Sequence, residues 1–185
     1  MRVDQEIEKL KSDIFSDDWD KMKSASNRLF EIGGQDNIDY LIGLLDQQNS
    51  GVRDAVALTF RDNKFNDALE PLLRAINKNE NKGYNGTMAY ALEELDCSHK
   101  LSELFDILFD KNSWEVQNHI LTVLDKQIFE FTEDDLIRIK SKWENIKDNW
   151  NDLNKIDKHN LRKHDLDKDL VQNFVDRYVS YLEKR

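Results

Sequence analysis

Asp165, Asp167, Asp169 and Asp176 in "DLDKDLVQNFVD" fall at positions 1, 3, 5 and 12 of a calcium-loop template. Carboxylates at that spacing could supply the oxygen ligands of a hard cation. Leu170, however, stands at the sixth position, where the loop's sharp turn needs glycine, and the residues after it keep a helical apolar period. A continuing helix splays the carboxylates apart, so the stretch reads as a capped, solvated helix start and no metal is expected. His159 and His164 are five apart, off the i,i+4 spacing that sets two imidazoles on one helical face. His119 falls at a packing column and His99 near a helix start, and both are read as structural. Cys97, the single cysteine, has His99 close by in "LDCSHK" but no glycine-rich nucleophile elbow. No catalytic residue and no cofactor is expected, and the chain is not read as an enzyme.

Gly33 and Gly34 in "EIGGQDNIDYLIGLL" raise the question of a phosphate cradle. Neither GxxxxGK[ST] nor GxGxxG occurs. The two glycines instead stand where a helix C-cap belongs, with Asp36 placed to cap the helix that follows. From Arg138 to Lys163, Arg138, Lys140, Lys142, Lys147, Lys155, Lys158, Arg162 and Lys163 accompany Trp143 and Trp150. Lysines on phosphates and exposed indoles on bases would make a nucleic-acid footprint. The competing reading, preferred here, buries Ile139, Trp143 and Ile146 and leaves the lysines in water.

Helices must position all of these residues. In 185 residues there are one proline and six glycines, with 35% charged and 39% hydrophobic residues, a composition that favours helix over strand and is apolar enough to fold. One thiol and no continuous apolar run at the N-terminus imply a reducing, cytoplasmic setting without a membrane span. Val3, Ile7, Leu10 and Ile14 form a first amphipathic stripe, and a second begins after Asp17 and Asp18. Leu29, Phe60, Leu92 and Leu124 then recur at steps of 31 or 32 residues, as do Leu41, Leu72, Leu104 and Leu136. Ile38, Leu69 and Leu101 share a further column, and Ala25, Val56, Met88 and Ile120 share the place where paired helices would cross. A fixed period of this kind is the signature of stacked helix pairs. It predicts an all-α α-solenoid in one domain: a helix over 1–15, four pairs near 17–47, 50–78, 82–110 and 113–147, and a linker with a capping helix over 148–185. Leu166, Leu170, Val171, Phe174, Tyr178 and Leu182 are the cap's predicted buried stripe.

"SGVRDAVALTF" followed by "NDALEPLLRAI" resembles a HEAT-type repeat, and the resemblance extends by spacing over residues 17–147. Such repeats serve as scaffolds, inhibitors and occasionally enzymes, so the resemblance implies architecture more than activity. It also implies that the second helix of each pair lines a binding face. Asp39, Glu70, Ser102 and Asp134 stand beside the second-helix leucines, Gly43, Arg74, Asp106 and Arg138 one turn later. Tyr40, Glu103 and Asp135 lie alongside, with Asp46 and Asp110 on the rim. The net charge of −10 is concentrated in residues 1–112, which hold 14 basic against 22 acidic residues. That field repels nucleic acid and anionic lipid and suits a basic protein. The expected function is an immunity protein or antitoxin that neutralises a basic toxin such as a nuclease. A HEAT-like enzyme, of the DNA glycosylase or bilin lyase kind, and an assembly adaptor are the alternatives.

Overall fold

Why the chain turns where it does is visible at Gly33 and Gly34. In the computed structural model, which describes residues 3–110, 113–150 and 166–183, both glycines have positive φ, 71° and 85°. The first places its amide on the Leu29 carbonyl and stops a helix there. With ψ at −160°, Gly33 lies beyond the left-handed helical well, in a region open to glycine almost alone. Gly34 itself is the N-cap of the next helix and offers no side chain, so Asp36 is not the cap that the sequence suggested. It sits exposed in the first turn, while the Asn37 amide reaches back to the Gly33 carbonyl at 2.7 Å.

The described residues form ten α-helices and no strand. They are α1 (Val3–Asp13), α2 (Trp19–Ile32), α3 (Gln35–Leu44), α4 (Ser50–Asp62), α5 (Leu69–Ile76), α6 (Gly86–Ala91), α7 (Leu101–Phe109), α8 (Trp114–Lys126), α9 (Glu133–Ile146) and α10 (Lys168–Val179). Two compact units divide them, residues 1–96 and 97–185.

In the first unit α2 packs on α1 and α4, α4 packs on α6, and α3 and α5 lie against their neighbours in sequence. Ala25, Leu29, Val56, Phe60, Met88 and Leu92 are all buried at these contacts, as the columns predicted. The small residues Ser26 and Thr59, buried with their hydroxyls 2.8 Å apart, let α2 and α4 approach closely. Val3, read as part of the first stripe, is exposed, and Ile14 is the residue of that stripe that is fully buried. The expected first helix of the third pair is short. Gly83 turns with φ 84°, Tyr84 is exposed ahead of the helix, and α6 begins only at Gly86.

In the second unit α7 packs against α8 and α9, and α10 against α9. Leu104, Ile120, Leu124 and Leu136 are buried. The inward face of α10 is Val171, Val175, Tyr178 and Val179, whereas Leu170, assigned to the buried stripe by sequence, is exposed. Asp167 caps α10 by accepting from the Asp169 amide at 2.9 Å, and Asp176 accepts from Gln172. The helix start that competed with a calcium loop is therefore what the described residues form. His159, His164, Asp165, Lys155, Lys158, Arg162 and Lys163 lie outside the described residues.

Polar side chains close three of the turns between helices. Buried Arg53, on α4, donates to the Gln47 and Gln48 carbonyls at 2.6 and 3.0 Å, just beyond the end of α3. Buried Asn85 donates to the Ile76 carbonyl at 3.0 Å, at the end of α5. Buried Gln117 donates to the Leu108 carbonyl at 3.1 Å, near the end of α7. These three are spaced 32 residues apart; Asn85 and Gln117 serve carbonyls that a helix end leaves without an intrahelical partner, and Arg53 serves those of the turn that follows α3.

Candidate interaction surfaces

In the first unit, burial of Leu41 and Leu44 turns the opposite side of α3 to solvent and exposes Asp39. The Asp39 carboxylate accepts from the Gln35 amide at 2.8 Å. Tyr40 is half-buried under the Lys11 ammonium, 5.1 Å from its ring centroid. Burial pushes its phenol above the ordinary value, against the opposing pull of Lys11, so the ring presents a neutral hydroxyl at neutral pH. Asp46 is bridged to Lys78. On α5, burial of Leu72, Leu73 and Ile76 exposes Glu70 and Arg74.

In the second unit, several of the carboxylates named from the sequence are engaged by neighbouring side chains. Asp106 on α7 accepts from both Arg138 and Lys142 on α9, so this acid and the Arg138 anchor are committed to each other. Asp135 belongs to a capping box: its carboxylate accepts from the Thr132 amide at 2.8 Å while the Thr132 hydroxyl accepts from the Asp135 amide at 3.2 Å. Glu103 pairs with Lys100 at 3.1 Å. Asp110 ends α7, its own amide bonded to the Asp106 carbonyl, and is exposed, as is Asp134. Ser102, expected beside the binding column, is buried instead. An exposed ion pair is worth roughly 0–1 kcal/mol, so pairing lowers the field of these carboxylates without locking them away from a competitor.

The tryptophans do not form a base-stacking platform. Trp143 is buried against Phe109, with ring centroids 5.6 Å apart, and its indole donates to Gln172 at 2.6 Å. Trp150, also buried, donates to the Leu166 carbonyl at 2.9 Å. Ile139 is buried and Ile146 half-buried, as in the preferred reading of the strip, and Lys142 is held by Asp106. Cys97 is fully buried, and His99 stands exposed 3.5 Å from the Glu130 carboxylate. No group of three or more metal-ligating side chains occurs among the described residues, and none of their helices is long and apolar enough to cross a membrane.

Two features escaped the sequence reading. The first is the polar column Arg53, Asn85, Gln117, whose 32-residue spacing was a legible signal. The second is a groove between α8 and α10 of about 470 Å³, lined by Leu121, Asp125, Leu170, Phe174 and Arg177 among others. An apolar pair at i,i+4 in α10, outside the buried stripe, was its trace in the sequence. Comparison with protein-family models, with curated proteins and with solved structures finds no match.

Proposed function

We propose that this chain is a HEAT-like α-solenoid protein that binds a basic protein through the acidic faces of its second helices, in the manner of an immunity protein occluding a nuclease toxin. One observation carries the reading. In the first unit, exposed carboxylates recur at equivalent places in successive pairs, Asp36 with Asp67 and Asp39 with Glu70, each 31 residues apart. Several cations of the same unit pair with acids off these faces, Lys23 with Asp62, Arg28 with Glu6 and Glu31, Arg61 and Lys64 with Glu94, while Lys78 bridges Asp46 and Arg74 stands exposed on α5 beside Glu70. Residues 1–96 hold 19 acidic against 12 basic residues, so the unit keeps a net negative charge to which these exposed carboxylates contribute. Regularly spaced negative charge attracts a basic surface, speeds encounter and needs no catalytic group to block an active site. The buried columns at steps of 31 or 32 residues and the repeated polar clamp support the helix-pair part of the reading.

The test is titration of the protein against basic nuclease toxin domains, with an unrelated protein of equal positive charge as control. Reversal of Asp39 and Glu70 to lysine together should weaken the specific complex by about 10- to 100-fold, chiefly at low salt, as expected for charged rim contacts. Affinity unchanged by that double reversal, or equal for the control protein, would remove these helices from the reading.

A further inference from the structure

We propose that the groove between α8 and α10 is a self-association surface, at which two copies of the chain pair about a two-fold axis. It is lined by the apolar Leu121, Leu170 and Phe174, by the uncharged polar Asn118, Thr122 and Asn173, and by one ion pair, Asp125 with Arg177. A helix that simply closes an array needs one apolar stripe and a polar outer face. α10 has its inward stripe in Val171, Val175, Tyr178 and Val179. It carries an apolar pair off that stripe: Leu170, 40% exposed, and half-buried Phe174 one turn on, which line the groove together with Leu121 of α8. A lone exposed leucine is ordinary, but an apolar pair lining a groove among the described residues offers a surface to a second surface.

The charges decide what that surface meets. Two chains of net charge −10 repel wherever their acidic faces approach. At this groove the sum is zero, because the charged residues that line it are one acid and one base. Both terminal nitrogens of Arg177 donate to the same Asp125 oxygen, at 3.2 and 3.1 Å, and the guanidinium lies over the Phe174 ring, 4.9 Å from its centroid. The pair is half or more exposed on both sides, 50% and 61%, so opening it costs little. An acid beside a base is self-complementary under a two-fold operation. Each Arg177 meets the other copy's Asp125, Leu170 and Phe174 of the two copies face one another, and no charge is left unpaired. A strongly basic protein meets Arg177 beside the one carboxylate, so the groove offers it no net attraction. The surface is thus separate from the acidic faces of the first unit, and its occupant is a second copy.

Sedimentation velocity of the full chain from about 1 to about 200 µM tests this, a range that spans assembly through a modest interface. A monomer is expected at the low end and a dimer at the high end. Leu170→Glu, at an exposed position and with its fold verified by circular dichroism, should raise the dissociation constant at least about tenfold. Asp125→Arg and Arg177→Asp should each be monomeric alone, because the two-fold sets like charges together, and an equimolar mixture of the two should dimerise. Raising salt should tighten the dimer by screening the repulsion between chains, the opposite of its effect on an acidic surface binding a basic protein. A wild-type monomer throughout, a dimer indifferent to Leu170→Glu, or a mixture that stays monomeric would each overturn the proposal. None of these results bears on binding of a basic protein at Asp39 and Glu70.

Discussion

Arg53, Asn85 and Gln117 show how one side chain can hold two helices in register. Each is buried on or just ahead of one helix and bonded to carbonyls at or just beyond the end of another. A buried carbonyl deprived of its donor loses about 1–3 kcal/mol, because the apolar replacement cannot repay the desolvation. Asn85→Leu and Gln117→Leu should each lower stability by about that amount in urea titration. Asn118→Leu, which removes a bond to the Trp114 carbonyl on an exposed helix turn, should cost less than about 0.5 kcal/mol. Equal losses at Gln117 and Asn118 would mean that the clamp contributes nothing beyond a surface bond. Tyr178 gives a second residue-scale prediction. Its hydroxyl is buried and donates to the Leu124 carbonyl at 3.1 Å, and burial raises its pKa, with the Arg177 charge opposing. A phenol whose folded pKa lies above the unfolded value of about 10 stabilises fully below pH 10 and loses that contribution as pH rises through the folded value. Urea midpoints at pH 7 and pH 10.5 should therefore fall more for the wild type than for Tyr178→Phe. The variant itself should be weaker by about 1 kcal/mol at pH 7, having lost one hydrogen bond.

At the scale of the element, what can be read from a sequence depends on whether the signal is local. The columns Leu29, Phe60, Leu92 and Leu41, Leu72 were legible because large apolar residues at a fixed period have one use, burial, and all five are buried. Caps were legible where a short polar residue precedes an apolar run: Asp18, Asn49, Ser113 and Asp167 each accept from a backbone amide of the helix they open. Asp36 was misread because two positive-φ glycines let the chain enter α3 two residues earlier than a cap at Asp36 would require. Leu170 was misread because α10 carries apolar residues, Leu170 and Phe174, beside its inward stripe, and periodicity alone cannot say which set faces inward. The commitment of Asp106 to Arg138 and Lys142 depends on how α7 lies against α9, which no local pattern records. The capping box at α9 separates a real cap from the misread one. Thr132→Ala should cost about 1 kcal/mol in thermal or urea unfolding, while Asp36→Ala should stay within about 0.5 kcal/mol. A larger loss at Asp36 than at Thr132 would reverse the assignment.

At the scale of the whole molecule two electrostatic effects oppose one another, and salt decides between them. The chain holds 37 acidic against 27 basic residues, so it carries ten uncompensated negative charges. Against this stand ion pairs such as Lys23 with Asp62, Lys78 with Asp46 and Arg177 with Asp125. Most of these pairs have at least one side chain open to water, where each is worth about 0–1 kcal/mol and long side chains lose entropy in making them. The repulsion is long-ranged by comparison and acts on every carboxylate at once, and added salt shortens its reach from about 30 Å at 0.01 M to about 8 Å at 0.15 M. Screening should therefore remove more repulsion than attraction. The urea midpoint should rise as sodium chloride goes from about 0.01 to about 0.5 M, with the larger part of the gain below about 0.15 M, where the screening length changes most. Choline chloride should act in the same way, because the effect belongs to ionic strength and not to a bound cation. A midpoint that falls with salt would show that clusters such as Asp106 with Arg138 and Lys142 outweigh the net charge. In that case the carboxylates of the second unit are too firmly held to greet a basic partner, and Asp39 and Glu70 would have to supply that contact alone.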